Sequence, residues 1–483
     1  MEALQRLHNR GSISTAAYEI DNSVCWEPDL ADQAYRSQGS TAGTRTKQTF
    51  SVWLKRSELG GDQYIFEGGT GNANDTQFGI QFSNSNKIQV MRAHTGSGYQ
   101  YLLNTNRLFR DTSAWYHIVV AVDTTLSTAD NRVRLYINGV EETSFANRNN
   151  PSQNDNLGTF AANAQTSLGV SANLGKHLAA YMAEPCLIYN AQLAPTSFGE
   201  FDDDTGIWKP KDLSGLTFGT YGYWLEFKTN NTVGDAAGLG HDSSGNDNDF
   251  SRFDSTIKAT TDTPTNNFCT LNFNVNFKYG TNAGGMINGA TTFGDDTGGG
   301  VGGAFGTMAV TAGKWYWEVK LTDTVSHYIG VSAVDDGDNV TSGTAASDPH
   351  QQNSTFRFNI SAARIEYLNN GSNTNGSLDA FSDFHTAGDI IGIALNMDDN
   401  QISIYGNGTL QSGVANTSIY DAADKMVVPF HGTINDECQY NFGGFSEWTP
   451  SSAASDANGY GTFEYAPPSG YYALCTKNLE EYG

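Results

Sequence analysis

The sequence predicts an all-β chain of two antiparallel sandwiches, and three observations carry that prediction. Gly313 to Leu321 places Trp315, Trp317, Val319 and Leu321 at odd positions and Tyr316, Glu318 and Lys320 at even ones, the period of a half-buried strand. Short alternations of the same kind recur along the chain, separated by polar turns such as Asn138-Gly139, a strong hairpin signal. Charged residues make up only 16% of the 483, and 53 glycines accompany abundant Asn, Ser and Thr, which leaves little material for long charge-studded helices.

Taken in order, residues 1–44 lack strand periodicity and mix Arg6, Arg10 and Arg36 with small polar residues. They read as an irregular N-terminal arm, either a loose terminus or a docking segment that orders on a partner. Residues 45–195 carry frequent strand signals. Phe50, Val52 and Leu54 alternate with Ser51, Trp53 and Lys55; Tyr116, Ile118, Val120 and Val122 alternate with His117 and Ala121; Val133, Leu135 and Ile137 alternate with Arg132, Arg134 and Tyr136. Residues 196–275 read as a connecting region with one strand-like piece, Tyr223 to Phe227. Residues 276–483 contain the Trp315 strand and a hairpin from Asp389 to Tyr405 that turns through Asp398, Asp399 and Asn400. In the tail, Pro467-Pro468 and Ser469-Gly470 mark turns before one last strand.

The series Thr49 to Arg56, Trp115 to Val120, Leu135 to Gly139 and Glu184 to Leu193 resembles the concanavalin-like lectin domains of the laminin-G type. That resemblance implies a jelly-roll of two antiparallel sheets. Gly313 to Leu321, Tyr328 to Val331, the Asp389–Tyr405 hairpin, Val428 to Phe430 and Tyr440 to Gly443 follow the order of SPRY domains, another two-sheet sandwich. Here the family's longer apolar middle strand is replaced by Phe356-Arg357-Phe358-Asn359-Ile360. The order of arm, sandwich, Asp-Ser-Ser-Gly-Asn loop, second sandwich and Pro-Pro-Ser-Gly-Tyr tail resembles structural proteins of tailed phages of the marine, cyanophage type. It implies a fibre or capsid-decoration protein localised on the virion.

The formal charge is −25 and the pI about 4.5, a surface that repels phosphate backbones and anionic lipid. Nucleic acid is thus excluded as a partner, and no stretch approaches the roughly 18 apolar residues of a membrane span, so no membrane insertion is expected. The N-terminal residues show no apolar core of a signal peptide. Cys25, Cys186, Cys269, Cys438 and Cys475 are far apart and odd in number, and read as free, mostly buried thiols.

The chemistry of catalysis is missing from the pattern. Glycan hydrolysis uses two carboxylates across the sugar, and no Glu-x-Asp-x-x-Glu strand occurs; Glu226 and Glu318 read as outward-facing strand residues. Gly298 to Gly303 fits a G-x-G-x-x-G pattern but reads as a flexible loop, and His117 as a structural partner within its strand. No catalytic residue and no cofactor are assigned. Asp242, Asn246, Asp247 and Asp249 crowd oxygens into eight residues and are the candidate metal ligands, for Ca2+; an Asx-turn chain explains the same residues. For binding, Tyr99, Tyr101 and Asn104 near Gly96, Ser97 and Gly98 combine aromatic faces with an amide, the chemistry that sugars use, while tyrosines on a half-exposed strand are the plainer reading. In the second sandwich the loops 335–352 and 369–377 are the candidate partner surfaces.

These features predict a non-enzymatic protein that docks to other virion proteins through its arm and presents sandwich loops to a host cell-surface glycan or protein. A homo-oligomer is expected, a trimer being common among fibres, although no heptad fixes the number. The alternatives are a purely structural, virion-stabilising protein without host contact and, third, a glycan depolymerase.

Overall fold

The computed structural model describes residues 18–27, 32–70, 77–94, 98–171, 175–228, 238–254, 256–279, 285–294, 301–322, 327–334, 355–360, 364–369, 372–375, 386–415, 417–419, 425–434 and 437–483. The chain divides into two compact units, one ending at Thr265 and the other beginning at Asn266. Both are antiparallel sandwiches, as the alternation predicts. Among the described residues no helix is long and apolar enough to cross a membrane.

In the first unit one sheet runs, in spatial order, Val140–Glu141, Val133–Ile137, Tyr116–Asp123, Lys47–Arg56, Ala180–Tyr189, Ser23–Trp26 and Lys258–Thr260, with Tyr223–Trp224 also paired to the Ala180 strand. The other runs Phe145–Asn149, Gly98–Thr105, Ile88–His94, Phe78–Phe82, Gln63–Gly69, Gln165–Leu168, Ala34–Ser37 and Arg252–Phe253. Alternate residues of each strand (Phe50, Val52 and Leu54 from one sheet, Phe78, Ile80, Val90 and Leu103 from the other) share one core.

The expected arm and connecting region take a different place. Ser23–Trp26 pairs with Ala180–Tyr189 and Lys258–Thr260, and Ala34–Ser37 pairs with Gln165–Leu168 and Arg252–Phe253. Residues 18–44 and 238–265, so far as they are described, thus complete the first sandwich. Strands of two to four residues carry too little alternation to be recognised locally; their pairing supplies the definition. Residues 1–17 of the arm lie outside the described residues.

A polar clamp holds these late strands. Lys55 and Asp262 are both buried and 2.7 Å apart, and Trp115 Nε1 donates to the same carboxylate at 3.2 Å. His117, the expected structural partner, is one: Trp208 Nε1 donates to its Nδ1 at 2.9 Å, and its Nε2 lies 2.8 Å from Ser51 Oγ. Burial pushes its pKa down to about 3, so the ring is neutral with the proton on Nε2.

The second unit has a seven-stranded sheet, in the order Leu271–Tyr279, Val301–Gly306, Met426–Ile434, His327–Val334, Thr355–Asn359, Arg364–Asn369 and Ser372–Asn375. Facing it, the order is Gly285–Ile287, Thr292–Gly294, Cys438–Asn441, Lys314–Leu321, Ile390–Asn396, Gln401–Gly406 and Thr409–Leu410, with Thr417–Ser418 and Tyr472–Ala473 attached. Trp315 and Trp317 are wholly buried at the centre of that sheet. The expected hairpin forms, its turn ending at Asn400 with φ 52°, a left-handed conformation that asparagine tolerates.

Three expectations change here. Part of the glycine-rich loop is strand, Val301–Gly306. The last strand is only Tyr472–Ala473, parallel to Lys314–Leu321, and a helix Thr476–Tyr482 follows it. Glu318 does not face water: it is fully buried beneath the C-terminal segment. Its Oε1 accepts from Tyr316 Oη and Tyr465 N, and its Oε2 from Asn441 Nδ2 and Glu464 N. Burial outweighs these four donors and raises its pKa to about 7. Glu226 is half-buried, 2.6 Å from Lys228.

Candidate functional site

The second sheet of the first sandwich turns one face to the core and the other outward. Because Ile80, Val90 and Leu103 point inward, their neighbours Gln81, Gln89 and Asn104 point outward by the period of two. The register aligns them: Tyr64 pairs with Gln81, Gln81 with Gln89, Gln89 with Asn104, and Asn104 with Asn147. Five adjacent strands therefore carry a continuous row of one phenol and four amides. A second row beside it runs Ser167, Glu67, Gly79, Met91, Leu102 and Asn149.

The first row is recessed. Tyr64 and Gln81 are only 5% and 4% exposed, Gln89 and Asn104 are half-buried, and Asn147 is exposed. Gly79 makes room for the phenol, since a Cβ there would stand 3.2 Å from Tyr64 Cε1. Gln81 Nε2 donates to Gln89 Oε1 at 2.7 Å, which fixes both amides. Two acceptors of the row are buried and take no hydrogen bond among the described residues, Gln81 Oε1 and Asn104 Oδ1. A buried carbonyl oxygen left so costs about 1–3 kcal/mol; the two stand on the row with Gln89 between them and are shielded by their neighbours in this conformation.

Of the residues expected to bind, Asn104 stands on this row. Tyr101 does not: it is wholly buried, its ring 6.5 Å from that of Phe78 in the core, and it offers no face to a ligand. In a regular strand positions 101 and 104 face opposite ways, and the apolar run Tyr101-Leu102-Leu103 hides which parity is inward. Tyr99 belongs to the Gly98–Thr105 strand; its side chain lies outside the described residues, as do residues 95–97. So do 335–352, and within the loop 369–377 residues 370, 371, 376 and 377. Tyr64, Gln81 and Gln89 were missed, although Gln at outward positions of two successive strands, Phe78-Gly79-Ile80-Gln81-Phe82 and Ile88-Gln89-Val90, is a readable signal.

The four expected calcium ligands do not converge. Asp242 Oδ1 accepts from Trp224 N and Ser244 N, and its Oδ2 from Ser244 Oγ and Asn248 N. Asp249 Oδ1 accepts from Asp242 N. Asn246 turns its amide onto the carbonyls of Gly219 and Gly222, and Asp247 is exposed in a left-handed conformation, φ 56°. Both oxygens of Asp242 and Oδ1 of Asp249 are thus engaged by backbone and hydroxyl donors of the protein, as in an Asx-turn chain. Another perturbed carboxylate, Glu184, is buried under Tyr18, whose hydroxyl donates to it, and desolvation raises its pKa to about 8. Neither Glu184 nor Glu318 lies on the amide rows.

Residues 31–195 match the family model of the concanavalin A-like lectin/glucanases superfamily, and residues 314–445 match that of the SPRY domain. Among solved structures, the chain is similar to the SPRY domain of human HERC1, with 17% identity over 35% of this chain and 96% of that one and a TM-score of 0.26. It is also similar to a heptameric SAP-like pentraxin from Limulus polyphemus, at 13% identity over 37% and 80%, TM-score 0.27. Domains LG4-5 of the mouse laminin α1 chain align at 10% identity over 89% and 90%, TM-score 0.32. No curated protein matches the chain.

Proposed function

We propose that this chain, which carries a concanavalin A-like lectin-type sandwich and a SPRY sandwich, is a non-enzymatic adhesin that binds a cell-surface glycan on the row Tyr64, Gln81, Gln89 and Asn104. The observation that carries this reading is the continuous outward row of one phenol and three amides on four adjacent strands, with Gln81 Nε2 donating to Gln89 Oε1. Amide groups beside a phenol ring offer the donors and acceptors that sugar hydroxyls pair with and the aromatic surface that sugar rings meet. Binding is favoured over hydrolysis because, among the described residues of these strands, the outward face presents one carboxylate, Glu67, where glycan cleavage uses two.

The virion is the proposed location, as a fibre or capsid-decoration protein of a tailed phage. Its support is the order of the sequence motifs, together with an acidic surface of short polar side chains. Antibody raised against the chain should label purified particles; particles of the source phage that lack the antigen would remove this placement without touching the glycan site. The site itself is tested by a glycan array, with the wild type and the Gln81→Leu and Asn104→Leu variants. Each variant should lose at least tenfold in affinity, the worth of one good buried hydrogen bond.

A further inference from the structure

We propose that His327, His431 and Cys438 form a buried site for a thiophilic d10 metal ion, which ties together the two sheets of the second sandwich. The three side chains are wholly buried, and one ligand atom from each lies within 4.8 Å of the others. Cys438 Sγ is 3.2 Å from His431 Nδ1 and 3.7 Å from its Nε2. Metal bonds of about 2.0–2.3 Å set ligand atoms roughly 3.3–3.8 Å apart, so the set closes on an ion by side-chain movements of about 1 Å.

The ligands come from both layers. His431 pairs with Ile329 and Thr433 with His327 on adjacent strands of the seven-stranded sheet, which puts the two histidines on one face, diagonally related. Cys438 sits in the opposing sheet, paired with Leu321 and Phe293. The Phe293 ring lies 5.2 Å from that of His431, and Tyr440 meets the same imidazole edge-on at 5.6 Å. Such walls exclude water and disfavour net charge.

That environment selects the ion. One sulfur and two imidazoles form a soft set suited to Cu+ or Zn2+ and not to Ca2+ or Mg2+. On coordination Cys438 releases its thiol proton to solvent and binds as thiolate, while the imidazoles bind neutral. Cu+ then gives a site of zero net charge and three ligands; Zn2+ leaves +1 and ordinarily takes a fourth ligand. The apolar walls therefore favour Cu+.

The test uses the full chain, reduced and stripped of metal. Titration with Cu+ against bicinchoninate, and separately with Zn2+ against a chromogenic zinc indicator, should show one ion bound per chain and a melting temperature higher by roughly 10 °C at a thousandfold excess over Kd. The arm that binds more tightly identifies the ion. Cys438→Ser should abolish binding, and Cys475→Ser, a change at a buried cysteine in another cluster of this unit, should retain it. X-ray absorption at the metal edge of the loaded wild type needs no variant and should read one sulfur and two nitrogen neighbours. Failure of both ions to bind, retention of metal by Cys438→Ser, or an absorption spectrum without sulfur would each overturn the proposal.

Discussion

Gln81 and Asn104 carry amide oxygens that the folded chain leaves without a donor among the described residues, so function and stability should pull apart there. Asn104→Leu removes an unsatisfied buried acceptor and is expected to leave the unfolding free energy unchanged or raised by up to about 1 kcal/mol, while weakening glycan capture at least tenfold. Gln81→Leu also gives up the bond to Gln89 and should be near neutral. Glu318 behaves in the opposite sense. Its pKa, raised by burial from 4.5 to about 7, means that the folded chain holds a proton that the unfolded chain releases between those values. Its contribution is fully present below about pH 4.5, declines as pH rises to about 7, and is level above. Urea melts across that window should show the decline. Glu318→Gln should flatten it and lower stability by about 1–3 kcal/mol, because an amide NH2 would face two of the four donors around the carboxylate.

Among the elements, the loop from His241 to Asp249 is predicted to hold its shape through Asp242, which accepts four hydrogen bonds. Asp242→Ala should lower the melting temperature of the first sandwich, whereas adding calcium or a chelator should leave that transition where it is. A calcium-dependent rise there would restore the loop as a metal site. The longer strands were legible because each is an unbroken alternation with one inward parity: Lys314–Leu321, Tyr116–Asp123 and Ile390–Asn396 read directly. The Ser23, Ala34, Arg252 and Lys258 strands were not, being two to four residues long and defined by partners more than 100 positions away. Asn104 could be named from its residue type, but its row could not. A cross-strand row depends on register, which local sequence leaves open, and the bulges between Tyr64 and Phe66 and between Arg92 and Ala93 shift that register.

At the scale of the whole chain, the formal charge of −25 adds mutual repulsion between molecules near pH 7 and should vanish near the pI of about 4.5, where light scattering is expected to rise. A scaffold of this composition offers amides, hydroxyls and aromatic rings far more than charge, and that chemistry suits neutral sugars. The decisive measurement is the binding of a glycan array by the full chain beside its Gln81→Leu, Asn104→Leu double variant, both shown folded by circular dichroism. Saturable capture of a defined glycan class by the wild type, with at least a hundredfold loss in the variant, is the predicted result. Equal capture by both proteins, or none by the wild type, would contradict the assignment of the amide row as the binding site.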